Sequence, residues 1–139
     1  MGVLGEMSEL ELFTYLRENL LADLQSSAGQ YDRSDCFSNS NKLVIELKCR
    51  RTHYDELLIE KKKFDALKAK ADALSFNACY INSTPQGIYG WNLSSVEIQW
   101  QEQLMPKTTD FENVEKVSKV IGYLPIATAI QLSGAIIYQ

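Results

Sequence analysis

The sequence predicts an α/β or α+β domain built in the order helix, hairpin, helix, strands. Three observations predict it. Apolar residues recur at helical spacing from Leu10 to Leu24. A polar tetrad, Ser38-Asn39-Ser40-Asn41, then separates two short strand-like runs. Further short runs with strand character follow from Asn77 onward. Elements in this order pack as helices on a sheet, not as a helical bundle.

Ser8 followed by Glu11 is a capping-box pattern, in which serine and glutamate each satisfy a backbone amide of the first turn. Leu10, Leu12, Phe13, Leu16, Leu20 and Leu24 follow at helical spacing. The first helix is therefore expected from Glu9 to Leu24, ended by Ser26-Ser27-Ala28-Gly29. Tyr31–Phe37 and Lys42–Cys49 are the arms of the expected hairpin, because the tetrad between them is turn chemistry. In the second arm Leu43, Ile45 and Leu47 alternate with Val44, Glu46 and Lys48, and its β-branched residues favour a strand.

Helical spacing returns from Asp55 to Leu74, with Leu57, Phe64 and Ala71 in one row and Leu67 and Leu74 in another. Asn77–Asn82, Ile88–Leu93 and Val96–Leu104 are expected strands. Pro85-Gln86-Gly87 is expected to turn, and Pro106–Asn113 to form a loop. From Val114 the pattern is mixed. Its end, Val120 to Gln139, is rich in large apolar residues and has no formal side-chain charge, which suits either core or an interface.

Residues 1–139 amount to one expected domain, and an apolar content of 45% is enough to build a core. No apolar run approaches the roughly 18 residues of a membrane span, and the N-terminus lacks a signal-peptide pattern. Cys36, Cys49 and Cys79 are odd in number and lack metal-ligand spacing, which points to reduced thiols and an intracellular protein. The net charge is −4, but it is unevenly distributed. Lys42–Lys70 holds nine basic and five acidic residues, a balance of +4, against −8 for the rest. A basic stretch in an acidic chain suits a phosphate-facing surface, although a solvated helix face gives the same pattern.

Alternation places Glu46 and Lys48 on one strand face, roughly 7 Å apart. A turn of about four residues sets Asp35 opposite or nearly opposite Glu46. Two carboxylates and a lysine on one patch suit phosphodiester hydrolysis. Carboxylates take hard cations such as magnesium, and such an ion acidifies bound water and neutralises charge on phosphate. The lysine can orient or deprotonate that water, and the Leu47 carbonyl can add a ligand.

Asp35, ten intervening residues and then Glu46-Leu47-Lys48 resembles the D…ExK core of the PD-(D/E)xK nuclease superfamily. The resemblance covers roughly Glu9 to Asn82, somewhat over half the chain. Ser34 stands where the nominal motif has proline, and Asp32 is a competing but more distant aspartate. The resemblance implies a restriction-endonuclease-like αβββαβ core, a central mixed sheet flanked by helices. It implies magnesium, with manganese as a substitute, held by Asp35, Glu46 and Leu47, with Asp35, Glu46 and Lys48 catalytic. It also implies an additional helix glutamate, Glu11 or Glu18, near the metal. Glu60 falls inside the apolar stripe of the second helix, so it is expected either to support the site or to pair with Arg50 or Arg51. Arg50, Arg51, His53, Lys61 and Lys63 are candidate phosphate contacts.

The implied function is cleavage of double-stranded DNA by an endonuclease. The modest net charge favours a homing or phage type, phage- or intron-encoded, over a Holliday-junction resolvase. A catalytically idle nuclease fold that binds DNA or protein is the alternative of a different class. Cutting both strands with one site per chain requires a second copy, so a homodimer or homotetramer is expected.

Overall fold

The computed structural model describes residues 6–26, 35–106 and 116–132, with Asp35 by its backbone alone. Helix α1 (Glu9–Asn19) begins with the expected capping box. Ser8 Oγ accepts from the Glu11 amide at 3.1 Å, and Glu11 Oε1 accepts from the Ser8 amide at 3.1 Å. Leu12, Phe13 and Leu16 are its buried face. The helix stops at Asn19, short of the expected Leu24. The amides of Leu20 and Leu21 both reach the Leu16 carbonyl, at 2.9 and 2.7 Å, and close the last turn. Leu24 is nevertheless buried, in the same apolar cluster as Leu12, Phe13 and Leu16, which is how its apolar character mimicked another helical turn.

Strands β1 (Gln25–Ser26), β2 (Asp35–Ser38) and β3 (Leu43–Cys49) form an antiparallel meander. Next come β4 (Glu56–Glu60), α2 (Lys61–Leu74) and β5 (Asn77–Thr84), and β5 runs parallel to β3. β6 (Gly87–Asn92) pairs antiparallel with β5. β7 (Gln101–Pro106), β8 (Lys116–Pro125) and the short β9 (Ile130–Gln131) complete the described strands. A six-stranded mixed sheet has the order β1-β2-β3-β5-β6-β9, and a three-stranded sheet has the order β4-β8-β7. The expected αβββαβ order is met by α1-β1-β2-β3-α2-β5, with β4 inserted ahead of α2.

The expected helix from Asp55 to Leu74 is thus divided. Leu57, Leu58 and Ile59 pair with Leu124, Tyr123 and Gly122 of β8, and helix begins only at Lys61. Leu57 matched the helical stripe by spacing, but its burial comes from a strand. Leu67 and Ala71 are the buried residues of α2, whereas Leu74 is exposed. The expected strand from Val96 starts later, at Gln101. Val96, Ile98 and Trp100 lie in irregular backbone and pack on the core as single side chains. Of the expected loop, Pro106 ends β7 and residues 107–113 lie outside the described residues. The first part of the mixed tail is strand: β8 is the centre of the three-stranded sheet, with Ile121 and Leu124 buried.

Cores form on both faces of the large sheet. Ile45, Leu47, Ile81 and Ile88 pack with Leu12, Phe13 and Leu16 of α1. Val44, Ala78, Tyr80 and Trp91 pack on the other face with α2 residues Leu67 and Ala71 and with Leu57, Ile59 and Leu124 of the small sheet. A central strand covered on both faces reads as a nearly continuous apolar run, and β3 is one. Glu46 and Lys48 interrupt that run, on the side facing α2.

Candidate active site

Asp35 and Glu46 are direct cross-strand partners. Backbone alternation specifies the kind of pair. The Arg50 amide donates to Ser83 and the Lys42 carbonyl accepts from Asn77, so even-numbered residues of this stretch aim their backbone groups at β5. Asp35–Glu46 is therefore a non-hydrogen-bonded pair, the kind with Cα atoms closest, at about 4.5 Å. By the same parity the Leu47 carbonyl faces the β2 side, towards the strand that carries Asp35. Two carboxylate residues and a backbone oxygen thus occupy adjoining backbone positions. Oxygen donors of this kind suit magnesium or manganese and not a thiolate-preferring metal.

The face of β3 that carries Glu46 continues through Lys48 to Arg50, beside Tyr80 and Asn82 of β5 in parallel register. Glu46 is largely buried, and the Lys63 ammonium lies 3.5 Å from its Oε1. Lys48 is partly buried. Burial first, then the positive charges of Arg50 and Lys63, hold its ammonium below the ordinary lysine value, against the pull of Glu9 and Glu60. Lys63 shifts the other way. Burial works against its charge, but attraction and a hydrogen bond to Glu46 outweigh that and raise it. One lysine of the site is thereby made readier to lose its proton and the other readier to keep it.

Several expected site residues have other occupations. Arg50 is locked into the wall of the site: Nε donates to Asn82 Oδ1 at 2.6 Å, and Nη2 donates to the Leu58 carbonyl at 2.5 Å and to Tyr80 Oη at 3.3 Å. His53 Nδ1 lies 2.9 Å from Thr84 Oγ1, and its ring is tilted against Tyr89 at 5.7 Å. Lys61 pairs with Asp65 at 2.7 Å and sits over the Trp100 ring. Arg51 is exposed. Glu60 ends β4 and pairs with Lys119 at 3.1 Å, not with Arg50 or Arg51. Its charge nevertheless acts on both Lys48 and Lys63.

Glu11 is engaged in the capping box, and Glu18 lines a groove along α1 with Glu11, Leu10 and Tyr15. The α1 glutamate whose charge acts on Lys48 is Glu9, which the sequence reading passed over. Its only sequence signal is its place as the first helical residue after the Ser8 cap. The reading also missed Asn82, a fully buried side chain whose Nδ2 has no hydrogen-bond partner among the described residues. It hid inside an apolar strand, and only the register with Lys48 reveals it.

No protein-family model matches the chain, and no curated protein matches it. Among solved structures the fold is similar to that of Hjc, a Holliday junction resolvase from the archaeal hyperthermophile Archaeoglobus fulgidus. The TM-score is 0.54 at 14% sequence identity, over 89% of this chain and 93% of that one. The likeness concerns the fold: a restriction-endonuclease-like α+β arrangement, with a central mixed sheet and two helices.

Proposed function

We propose that the chain is a divalent-metal-dependent DNA endonuclease acting on branched DNA. The observation that carries the reading is the Asp35–Glu46 pairing with Lys48 two residues further along the same strand. Asp35, Glu46 and the Leu47 carbonyl are the groups that would hold magnesium, or manganese in its place. The ion supplies Lewis-acid charge at the phosphate and a more acidic water.

The chain's own residues do the rest. Lys48, with its ammonium destabilised by burial and by Arg50 and Lys63, orients the attacking water and takes its proton. Arg50, Asn82 and Tyr80 brace the strand face so that Lys48 is presented from a rigid wall. Phosphates approach past Lys63 and the exposed Arg51.

Between the two substrate types expected from sequence, the structural neighbour supports the junction-resolving one, since Hjc is a Holliday junction resolvase. The modest net charge favours a homing or phage type, but overall charge is a weak guide to DNA binding. A local patch steers DNA, and Lys61, Lys62 and Lys63 all lie in the first turn of α2 whatever the overall balance.

The test is incubation of the protein with a four-way junction, a linear duplex and a supercoiled plasmid, each with and without magnesium. Metal-dependent incision of the junction in excess over the linear duplex is the expected result. Binding without incision of any substrate points to an idle nuclease fold and overturns the enzymatic reading.

A further inference from the structure

Glu46 and Lys63 meet across the site, but they are not held equally. Glu46 sits in the middle of a strand paired on both sides and exposes 12% of its side chain. Lys63 is the third residue of α2, reaches in on a flexible four-carbon stem and exposes 54%. If the pair must open, the lysine is the partner able to leave.

We infer that Lys63 is a tethered counter-ion of Glu46 that a divalent metal displaces, and that the displaced ammonium then becomes a phosphate ligand. The inference rests on the metal-dependent reading above. A carboxylate this buried needs compensating charge, and Lys63 supplies it at 3.5 Å. A divalent ion between Asp35 and Glu46 would draw on the same carboxylate and set two more positive charges beside the ammonium. Lys48 and Arg50 already crowd that face. Ion and ammonium therefore compete for Glu46.

Once released, Lys63 joins Lys61 and Lys62 at the start of α2, where added positive charge attracts an incoming phosphodiester. Metal and DNA are coupled through this one side chain. By linkage each raises the affinity of the other by the same factor.

The test is calorimetric titration with Ca²⁺ of the wild type, Lys63→Met and Lys62→Met, with DNA anisotropy measured in the presence and absence of Ca²⁺. Lys63→Met is expected to bind Ca²⁺ about fivefold more tightly, the upper range for a solvent-screened pair. The gain in DNA affinity that Ca²⁺ confers should shrink in the same variant. Lys62→Met, one residue away with the same charge, should leave Ca²⁺ affinity unchanged. Thermal unfolding checks each fold, and Lys63→Gln replaces Lys63→Met if that variant unfolds.

Unchanged or weaker Ca²⁺ binding in the Lys63 variant overturns the inference, as does an equal shift in Lys62→Met. Wild-type Ca²⁺ binding that Glu46→Gln abolishes, but that the Lys63 variant leaves as it was, overturns this inference and spares the metal site. Absence of Ca²⁺ and Mn²⁺ binding in the wild type overturns both.

Discussion

Asp35 and Glu46 face each other across β2 and β3 as a non-hydrogen-bonded pair, the closest backbone approach an antiparallel ladder offers. Two acidic residues at that spacing are unfavourable neighbours in a structural sheet, where like charges directly opposite destabilise. A divalent cation held there, as proposed above, would offset that repulsion.

Glu46→Gln is accordingly expected to abolish measurable Ca²⁺ binding, and Asp35→Asn to do the same, while both variants stay folded. Calorimetry with Ca²⁺ and circular dichroism check the two halves of the statement. A folded Glu46→Gln with wild-type Ca²⁺ affinity would remove the metal site from β3.

Lys48→Gln should separate chemistry from metal binding. Loss of a positioned proton-transfer group costs about 10²–10⁴ in rate. The variant is expected to lose cleavage by that factor and to keep its Ca²⁺ affinity. Single-turnover cleavage of a four-way junction measures the first, calorimetry the second.

How much of this was legible in the sequence follows from where each side chain takes its partners. The Asp35–Glu46 register was readable because a four-residue polar turn and period-two alternation fix a hairpin locally. The Ser8–Glu11 cap was readable for the same reason. The strand Glu56–Glu60 was not, because its pairing partner β8 lies some sixty residues away in the chain and its leucines also fit a helical stripe. Glu60 was recognised as needing a partner, but Lys119 comes from that same distant strand. Arg50 looked like a free cation. Its three acceptors come from β4 and β5, which no local pattern connects to it.

That locked arginine gives a stability prediction. Hydrogen bonds to charged groups are worth about 1.5–3 kcal/mol each when an acceptor is left buried and unpaired. Asn82 is fully buried, so Arg50→Ala is expected to destabilise by about 2–4 kcal/mol. Arg51→Ala, an exposed neighbour, should change stability little and instead lower the slope of log affinity for DNA against log salt by about one. Urea unfolding and salt-dependent anisotropy check the pair.

Tyr80 predicts the alkaline limit of the fold. Burial raises its phenol above the ordinary value of 10.0, and Arg50 only partly opposes this. A raised folded value means that the unfolded chain releases the proton first. The stabilising contribution is complete below pH 10 and is lost as pH rises from there through the folded value. Tyr80→Phe should flatten that fall. At neutral pH it should cost only about 1 kcal/mol, through the long bonds to Arg50 and Leu58. Urea midpoints at pH 7 and above pH 10 test both statements.

The oligomeric state is the last prediction, and the structure sharpens where to test it. Cutting both strands at a branch point with one site per chain calls for a second copy, and a homodimer is expected. The apolar stretch from Val120, taken from sequence as one candidate interface, divides into two kinds of residue. Ile121 is fully buried in β8, whereas Ile130, on the edge strand β9, exposes 63% of its surface. Ile136 lies outside the described residues. A charge placed at Ile121 must be buried without a partner and should unfold the chain. A charge at Ile130 meets solvent in the monomer and costs the fold little, yet it breaks any contact made by that edge. Sedimentation of Ile130→Glu is therefore expected to show a folded monomer where the wild type is a dimer, with junction binding weakened and incision no longer paired across the two strands. A wild type that sediments as a monomer both alone and on junction DNA would defeat the prediction. An Ile130→Glu dimer indistinguishable from wild type would move the interface away from β9.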